Sequence, residues 1–299
     1  MLLSRVLIAS ALLFAAAPSL AQGVPDEPEQ QQVDASQEPD QQSDAAPPSI
    51  PWQAQIYSGA SDWKPEQLAV REGWDLAHKC GGTLIASGWV LTAAHCINAE
   101  RVRNGHRVRL GASAINSDDG ISFRIDRMIR HADYDKDAHR YDVALVHFVA
   151  DERTVEGRAG PIEAIALYDG APLEPGVALF ASGWGKLEKA ATGYQAELSQ
   201  VDLETVACAD YPDAARWSAE YHLCATGRTP DDDTCEGDSG GPLVMENEGQ
   251  RPQLVGVVNF GFGCYREDSA GVYLRIDGEH FGDWIGRAMA ADPSLSEIR

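Results

Sequence analysis

From Ile50 onward the sequence predicts an all-β domain, a sandwich or barrel of short strands followed by one terminal helix. Two observations predict it. Short runs rich in β-branched and apolar residues recur between Gly, Pro, Asn and Asp signals, and strands at that spacing fit such folds. No strand–helix alternation and no repeat of solenoid length interrupts them. The runs are Thr83–Ile85, Trp89–Thr92, Arg101–Leu110, Val143–Phe148, Val177–Ala181, Leu254–Phe260 and Gly271–Ile276. Gly278–Ala291 changes period: Phe281, Trp284, Ile285 and Met289 fall on one helical face, which predicts a terminal helix packed on the second half of the domain. The 250 residues after Ser49 suffice for one large domain or two small barrels sharing an interface.

The first 49 residues differ in kind. Arg5 precedes an apolar stretch from Val6 to Ala17, and Ser19-Leu20-Ala21 supplies the small residues of a cleavage site before Gln22. This predicts a signal peptide over 1–21, too short for a membrane anchor, and export to the periplasm or the cell exterior. Residues 22–49 carry seven carboxylates, no Lys or Arg, and no apolar periodicity; they predict a disordered acidic leader.

The chain has a formal charge of −22; without Arg5 and the leader carboxylates it is −16. An acidic surface disfavours nucleic acid and attracts basic partners. No later apolar run reaches eighteen residues, so no membrane partner is expected. Six cysteines in an exported chain predict disulfides, and spacing alone leaves fifteen pairings open. No CxxC pattern or other ligand set predicts a metal, and no cofactor is expected.

Three short segments carry chemistry. Leu91-Thr92-Ala93-Ala94-His95-Cys96 sets a histidine beside a cysteine. Arg140-Tyr141-Asp142 places a carboxylate at the head of an apolar run. Cys235-Glu236-Gly237-Asp238-Ser239-Gly240-Gly241-Pro242 sets a serine among glycines. His, Asp, Ser is one of the chain orders of a hydrolytic triad. A serine hydroxyl needs an adjacent base to act as a nucleophile, and a histidine needs a carboxylate to hold its tautomer.

These motifs resemble the trypsin/chymotrypsin family of serine proteases over most of the chain from about Ile50. The resemblance implies two antiparallel six-stranded β-barrels with a C-terminal helix, about 50–155 and 156–299, with a crossover near Asp151–Pro161. It implies His95, Asp142 and Ser239 as the triad, and Gly237 and Ser239 N–H as the oxyanion hole. It selects the disulfides Cys80–Cys96, Cys208–Cys224 and Cys235–Cys264. Asp233, six residues before Ser239, matches the pocket floor that accepts Lys or Arg, with Thr234 beside it. Glu236 falls at the pocket mouth, Asn259, Phe260 and Gly261 on the pocket-wall strand, and Gly271 where glycine leaves room. The implied reaction is hydrolysis after Arg or Lys in protein or peptide substrates, with a protein activator or inhibitor as a further partner.

The sequence departs from the family pattern in three places. It lacks an Ile-Val-Gly-Gly-like segment, whose released ammonium pairs in relatives with the aspartate before the catalytic serine, here Asp238. A buried carboxylate needs a partner, so Asp238 is expected to pair with His78, as in family zymogens, or with Lys79 or Arg266. This departure favours an alternative reading, a zymogen-like or silent binding protein on the same scaffold. Asn259 stands where the family often has a serine bonded to the catalytic aspartate; its amide can donate to Asp142. The segment Tyr57–Lys79 is long and reads as an exosite, a lid or surface padding.

Overall fold

The computed structural model describes residues 50–59, 63–151, 159–187, 191–211, 218, 220–229, 232–261, 263–264, 266, 268–276 and 281–291, with the backbone of 297–298. The signal peptide, the leader and most of the crossover segment lie outside them.

The first barrel uses β1 (Gln53–Ser58), β2 (His78–Ala86), β3 (Trp89–Thr92), β4 (His106–Leu110), β5 (Ile121–His131) and β6 (Ala144–Val149). They are ordered β5-β4-β1-β2-β3-β6 and close through β5–β6. Ala54, Ile56, Val90, Val108 and Val146 are buried on one face of these strands, and Leu91, Ile129 and Leu145 on the other. Two short helices, α1 (Pro65–Leu68) and α2 (Gly73–Ala77), form the insertion between β1 and β2, and α3 (Ala99–Arg103) precedes β4. The stretch Arg101–Leu110, read as one strand, is therefore a helix and a strand. The Asn98 side chain accepts from the Arg101 amide at 2.8 Å and caps α3.

The second barrel holds β8 (Ala178–Gly183), β9 (Ser199–Val206), β10 (His222–Thr226), β11 (Pro242–Met245), β12 (Gln253–Phe260) and β13 (Gly271–Arg275), ordered β11-β8-β9-β10-β13-β12 and closed through β11–β12. The two-residue strand β7 (Ala166–Leu167) adds to β12 in parallel. All ladders within the two closed barrels are antiparallel.

The terminal helix α4 (Asp283–Ala290) corrects one expectation. Its main strand contact is β6 of the first barrel, where the second was expected. Phe281 and Trp284 are buried against His131, with ring centroids 5.9 and 5.3 Å away. Aromatics of this size bury about 150–250 Å² each, or roughly 4–6 kcal/mol of apolar transfer apiece. β14 (Glu297–Ile298) then pairs with β5 in parallel.

The barrels meet along polar contacts as well as apolar ones. Ser182 Oγ donates to Gln53 Oε1 at 2.7 Å, and the Gly81 amide donates to the Ser239 carbonyl at 2.9 Å. A Cβ on Gly81 would come within 2.8 Å of Gly241 Cα, so this close approach of the two backbones requires glycine.

Candidate active site

His95 sits in a 3-10 turn, Ala94–Cys96, just past β3. The Cys80–Cys96 disulfide ties that turn to β2. Arg101 Nη1 donates to the carbonyls of His95 and Cys96 at 3.0 and 2.5 Å, satisfying groups the short turn leaves open.

Asp142 precedes β6 and is 2% exposed. Its approach is strained: His139 and Tyr141 have φ of +53° and +51°, a region non-glycine residues rarely occupy. Packing holds the strained Tyr141, which stacks on His131 at 4.5 Å and donates its hydroxyl to Tyr221 Oη at 3.2 Å. Asp142 Oδ1 accepts from the His95 amide at 2.9 Å, and Oδ2 lies 2.7 Å from His95 Nδ1. The carboxylate can only accept, so Nδ1 carries the proton and Nε2 is left as a base.

Ser239 follows Asp238 on the loop between β10 and β11. The Cys235–Cys264 disulfide fastens this loop, and Cys208–Cys224 closes the third bridge, so all three implied pairings are formed. Gly237 has φ +104°, which favours glycine. Among the described residues, the amide N–H groups of Gly237 and Ser239 meet no protein acceptor, while the neighbouring amides of Asp238, Gly240 and Gly241 all do. Two unengaged donors beside a nucleophile suit a developing oxyanion. No hydrogen bond joins the Ser239 hydroxyl to His95 among the described residues; such contacts often tighten only with substrate bound.

The remaining site residues divide. Thr234 Oγ1 lies 3.0 Å from the hydroxyl of the buried Tyr273. Burial, with Asp233 adding negative charge, pushes the Tyr273 phenol well above its usual range. Gly271 makes room for Tyr273 itself, whose Oη would lie 2.7 Å from a Cβ there. A Cβ on Gly261 would meet only open space. Glu236 is exposed, and its carboxylate pairs with Lys186 Nζ at 2.5 Å. Phe260 packs on His139 and His222 at 4.4 and 5.4 Å.

Two expectations fail. Asn259 does not orient Asp142: it is buried at the β-bulge of β12, and among the described residues neither its Nδ2 nor its Oδ1 finds a partner. Asp238 pairs with none of His78, Lys79 or Arg266. Its Oδ1 accepts from the Gly185 amide at 2.8 Å and its Oδ2 from the Cys235 amide at 2.9 Å. Burial, outweighing those two bonds, pushes this carboxyl up to about 6. His78 Nε2 instead bonds the Gly237 carbonyl, Lys79 donates to the Leu76 carbonyl, and Arg266 pairs with Asp268.

Sequence reading missed Gly185 and the residues behind the loop, Gln55, Asp75 and Tyr194. The Gly183-Trp184-Gly185 run is a local signal for the first; no local signal exists for the others, which lie far apart in the chain.

A scan against protein-family models matches residues 40–285 to the family described as Trypsin. Among curated proteins, the chain is 30% identical over 249 residues to tissue-type plasminogen activator of Bos taurus, and over 250 residues to that of Pongo abelii. These alignments take in 79% of this chain and 42% of each relative, so the chain spans under half the length of those proteins. Among solved structures, it matches neuropsin, a serine protease expressed in the limbic system of mouse brain, with a TM-score of 0.61 and 27% identity, over 80% of this chain and 94% of that one.

Proposed function

This chain belongs to the trypsin family of serine proteases, and from that premise we propose that it is an exported endopeptidase that cleaves peptide bonds after arginine or lysine. The observation that carries the catalytic part is the double engagement of Asp142 with His95, through Nδ1 and the backbone amide. That geometry leaves His95 Nε2 free to take the Ser239 proton as Oγ attacks the scissile carbonyl. The carbonyl oxygen becomes an oxyanion that the Gly237 and Ser239 N–H groups receive. His95 then gives its proton to the departing amine, leaving an acyl-serine that water hydrolyses by the reverse sequence.

The basic preference is supported by Asp233. Its negative charge reaches both Asp238, next to Ser239, and the buried Tyr273. An enclosed carboxylate favours a cationic side chain that reaches it. Export is supported by the signal-peptide pattern and by three disulfides with no free cysteine. A second reading, a zymogen-like resting protein, is favoured by one observation: among the described residues the Asp238 carboxylate meets only backbone amides.

Turnover of a short Arg- or Lys-terminated fluorogenic amide tests the proposal. Ser239→Ala should abolish it. Asp233→Ser should lower kcat/KM at least ~30-fold, since losing one partner of a buried charge pair costs about 2–5 kcal/mol. Equal turnover of Arg- and Leu-terminated amides would refute the basic preference. A folded, inactive wild type would favour the zymogen reading.

A further inference from the structure

The loop that carries the oxyanion donors is held from behind by contacts that lead back to the α1–α2 insertion. The Glu236 carbonyl accepts from the Lys186 amide at 3.0 Å. In a trans peptide N–H and C=O point opposite ways, so this contact turns the Gly237 N–H away from Lys186. The Gly237 carbonyl is met by His78 Nε2 at 3.0 Å. Gln55 Nε2 donates to His78 Nδ1 at 3.2 Å, which fixes the tautomer with the proton on Nε2. Burial pushes His78 down to about 4, so the ring is neutral at working pH. The Tyr194 ring covers the remaining side. A Cβ on Gly237 would approach Tyr194 Cδ1 within 2.8 Å, and Tyr194 meets His78 edge to face at 4.9 Å.

Lys186 and Tyr194 belong to one loop, and helix α2 fastens its far end. Asp75, 4% exposed, accepts the Tyr194 amide on Oδ1 at 2.9 Å. Arg71 forks onto the same carboxylate, Nη2 to Oδ1 at 2.7 Å and Nε to Oδ2 at 2.5 Å. Its guanidinium also lies 4.8 Å above the Tyr194 ring. A Cβ on Gly193 would come within 2.8 Å of Asp75 Oδ2, so the loop is seated directly on the carboxylate. A bidentate, largely buried pair of this kind is geometrically specific. Two departures from the family pattern thus converge: the insertion braces the same loop that Asp238 leaves without a cation.

We propose that residues 63–79 are an internal brace for the oxyanion hole. Asp75, fixed by Arg71, pins Tyr194; Tyr194 and His78 hold Gly237 in the shape that presents its N–H and that of Ser239. The brace supplies from within the fold the order that relatives obtain from a released ammonium. Asp75, Arg71 and Tyr194 are positioning residues and touch no reacting atom. The inference rests on the serine-protease reading of the site, and is independent of what Asp233 selects.

The test is the second-order rate at which an uncharged fluorophosphonate labels Ser239 in the full chain, which needs the triad and the oxyanion hole but no basic side chain. Amide kcat and KM, the benzamidine inhibition constant and the melting temperature are measured alongside. Asp75→Ala and Tyr194→Ala should slow labelling and lower kcat by at least tenfold, toward the ~10²–10³ of a lost oxyanion donor. Benzamidine inhibition should stay within about threefold, because it reads the pocket alone, and Tyr194→Phe should label at the wild-type rate. Labelling within twofold of wild type in a folded Asp75→Ala overturns the brace. So does a loss that falls equally on benzamidine and on the melting transition. Should Asp75→Ala not fold, Tyr194→Leu against Tyr194→Phe decides, and equal rates for that pair overturn it. A wild type that leaves Ser239 unlabelled sinks the protease reading and the brace together, whereas normal wild-type labelling with an unaffected Asp75→Ala sinks the brace alone.

Discussion

Replacing Asp238 with asparagine should flatten the pH dependence of stability between pH 4 and pH 6. The carboxyl is buried, two backbone amides are its hydrogen-bond donors among the described residues, and burial raises it from 3.8 to about 6. A folded-state value above the unfolded one means that the folded chain holds the proton more tightly. The stabilising contribution is complete below about pH 4, falls as pH rises, and is gone once pH passes about 6. Two units at 1.36 kcal/mol each give about 3 kcal/mol. Urea denaturation of the disulfide-intact protein at pH 4 and pH 7 reads this directly. At an m-value near 3 kcal/mol/M, the wild-type midpoint should shift about 1 M relative to that of Asp238→Asn. The variant presents one oxygen and one NH₂ group to two N–H donors, so its stability will be lower throughout; only the difference in slope counts. Parallel pH curves for the two proteins would refute the reasoning and imply that a charge partner compensates Asp238.

Two further substitutions probe the catalytic geometry. Asp142→Asn keeps the shape but loses the acceptor that holds the proton on His95 Nδ1; amide kcat should fall about 10⁴-fold with KM little changed, and a fall below tenfold would remove Asp142 from the triad. Gly237→Ala forces a side chain onto φ +104° and into the Tyr194 ring, and should cost about 10²–10³ in kcat; unchanged kcat in a folded variant would show that Gly237 N–H receives no oxyanion.

The parts that were legible are those written locally. His95, Asp142 and Ser239 each sit in a motif a few residues long, and the family resemblance those motifs carry selects the cysteine pairing that the structure forms. Strands with continuous apolar runs, such as Ala144–Val149 and Gln253–Phe260, were found nearly to their ends. Strands with charged outward positions were not. In Ile121–His131 and Ser199–Val206 the buried Ile125, Ile129, Leu203 and Thr205 alternate with Arg, Asp, Gln and Glu, which dilutes the apolar signal. Residues 106–110 were assigned correctly but 101–103 were not, because an asparagine cap outweighs strand propensity there. Asp75 and Tyr194 stand 119 residues apart and meet only through tertiary packing, so no reading along the chain could join them. The pairing of Asp238 with His78 failed for the opposite reason: proximity was right, but the imidazole N–H donates to the Gly237 carbonyl next door.

His95 and Asp142 ride on one barrel and Ser239 on the other, with the Gly81 amide gripping the Ser239 carbonyl across the seam. Neither half holds a working nucleophile alone. Bond cleavage therefore becomes available only after distant parts of the chain have docked, a slow event in folds dominated by non-local strand pairing. On the proposed reading, a newly made chain carries no assembled nucleophile until it is folded, and the first appearance of activity during refolding is a clock for the joining of its two halves.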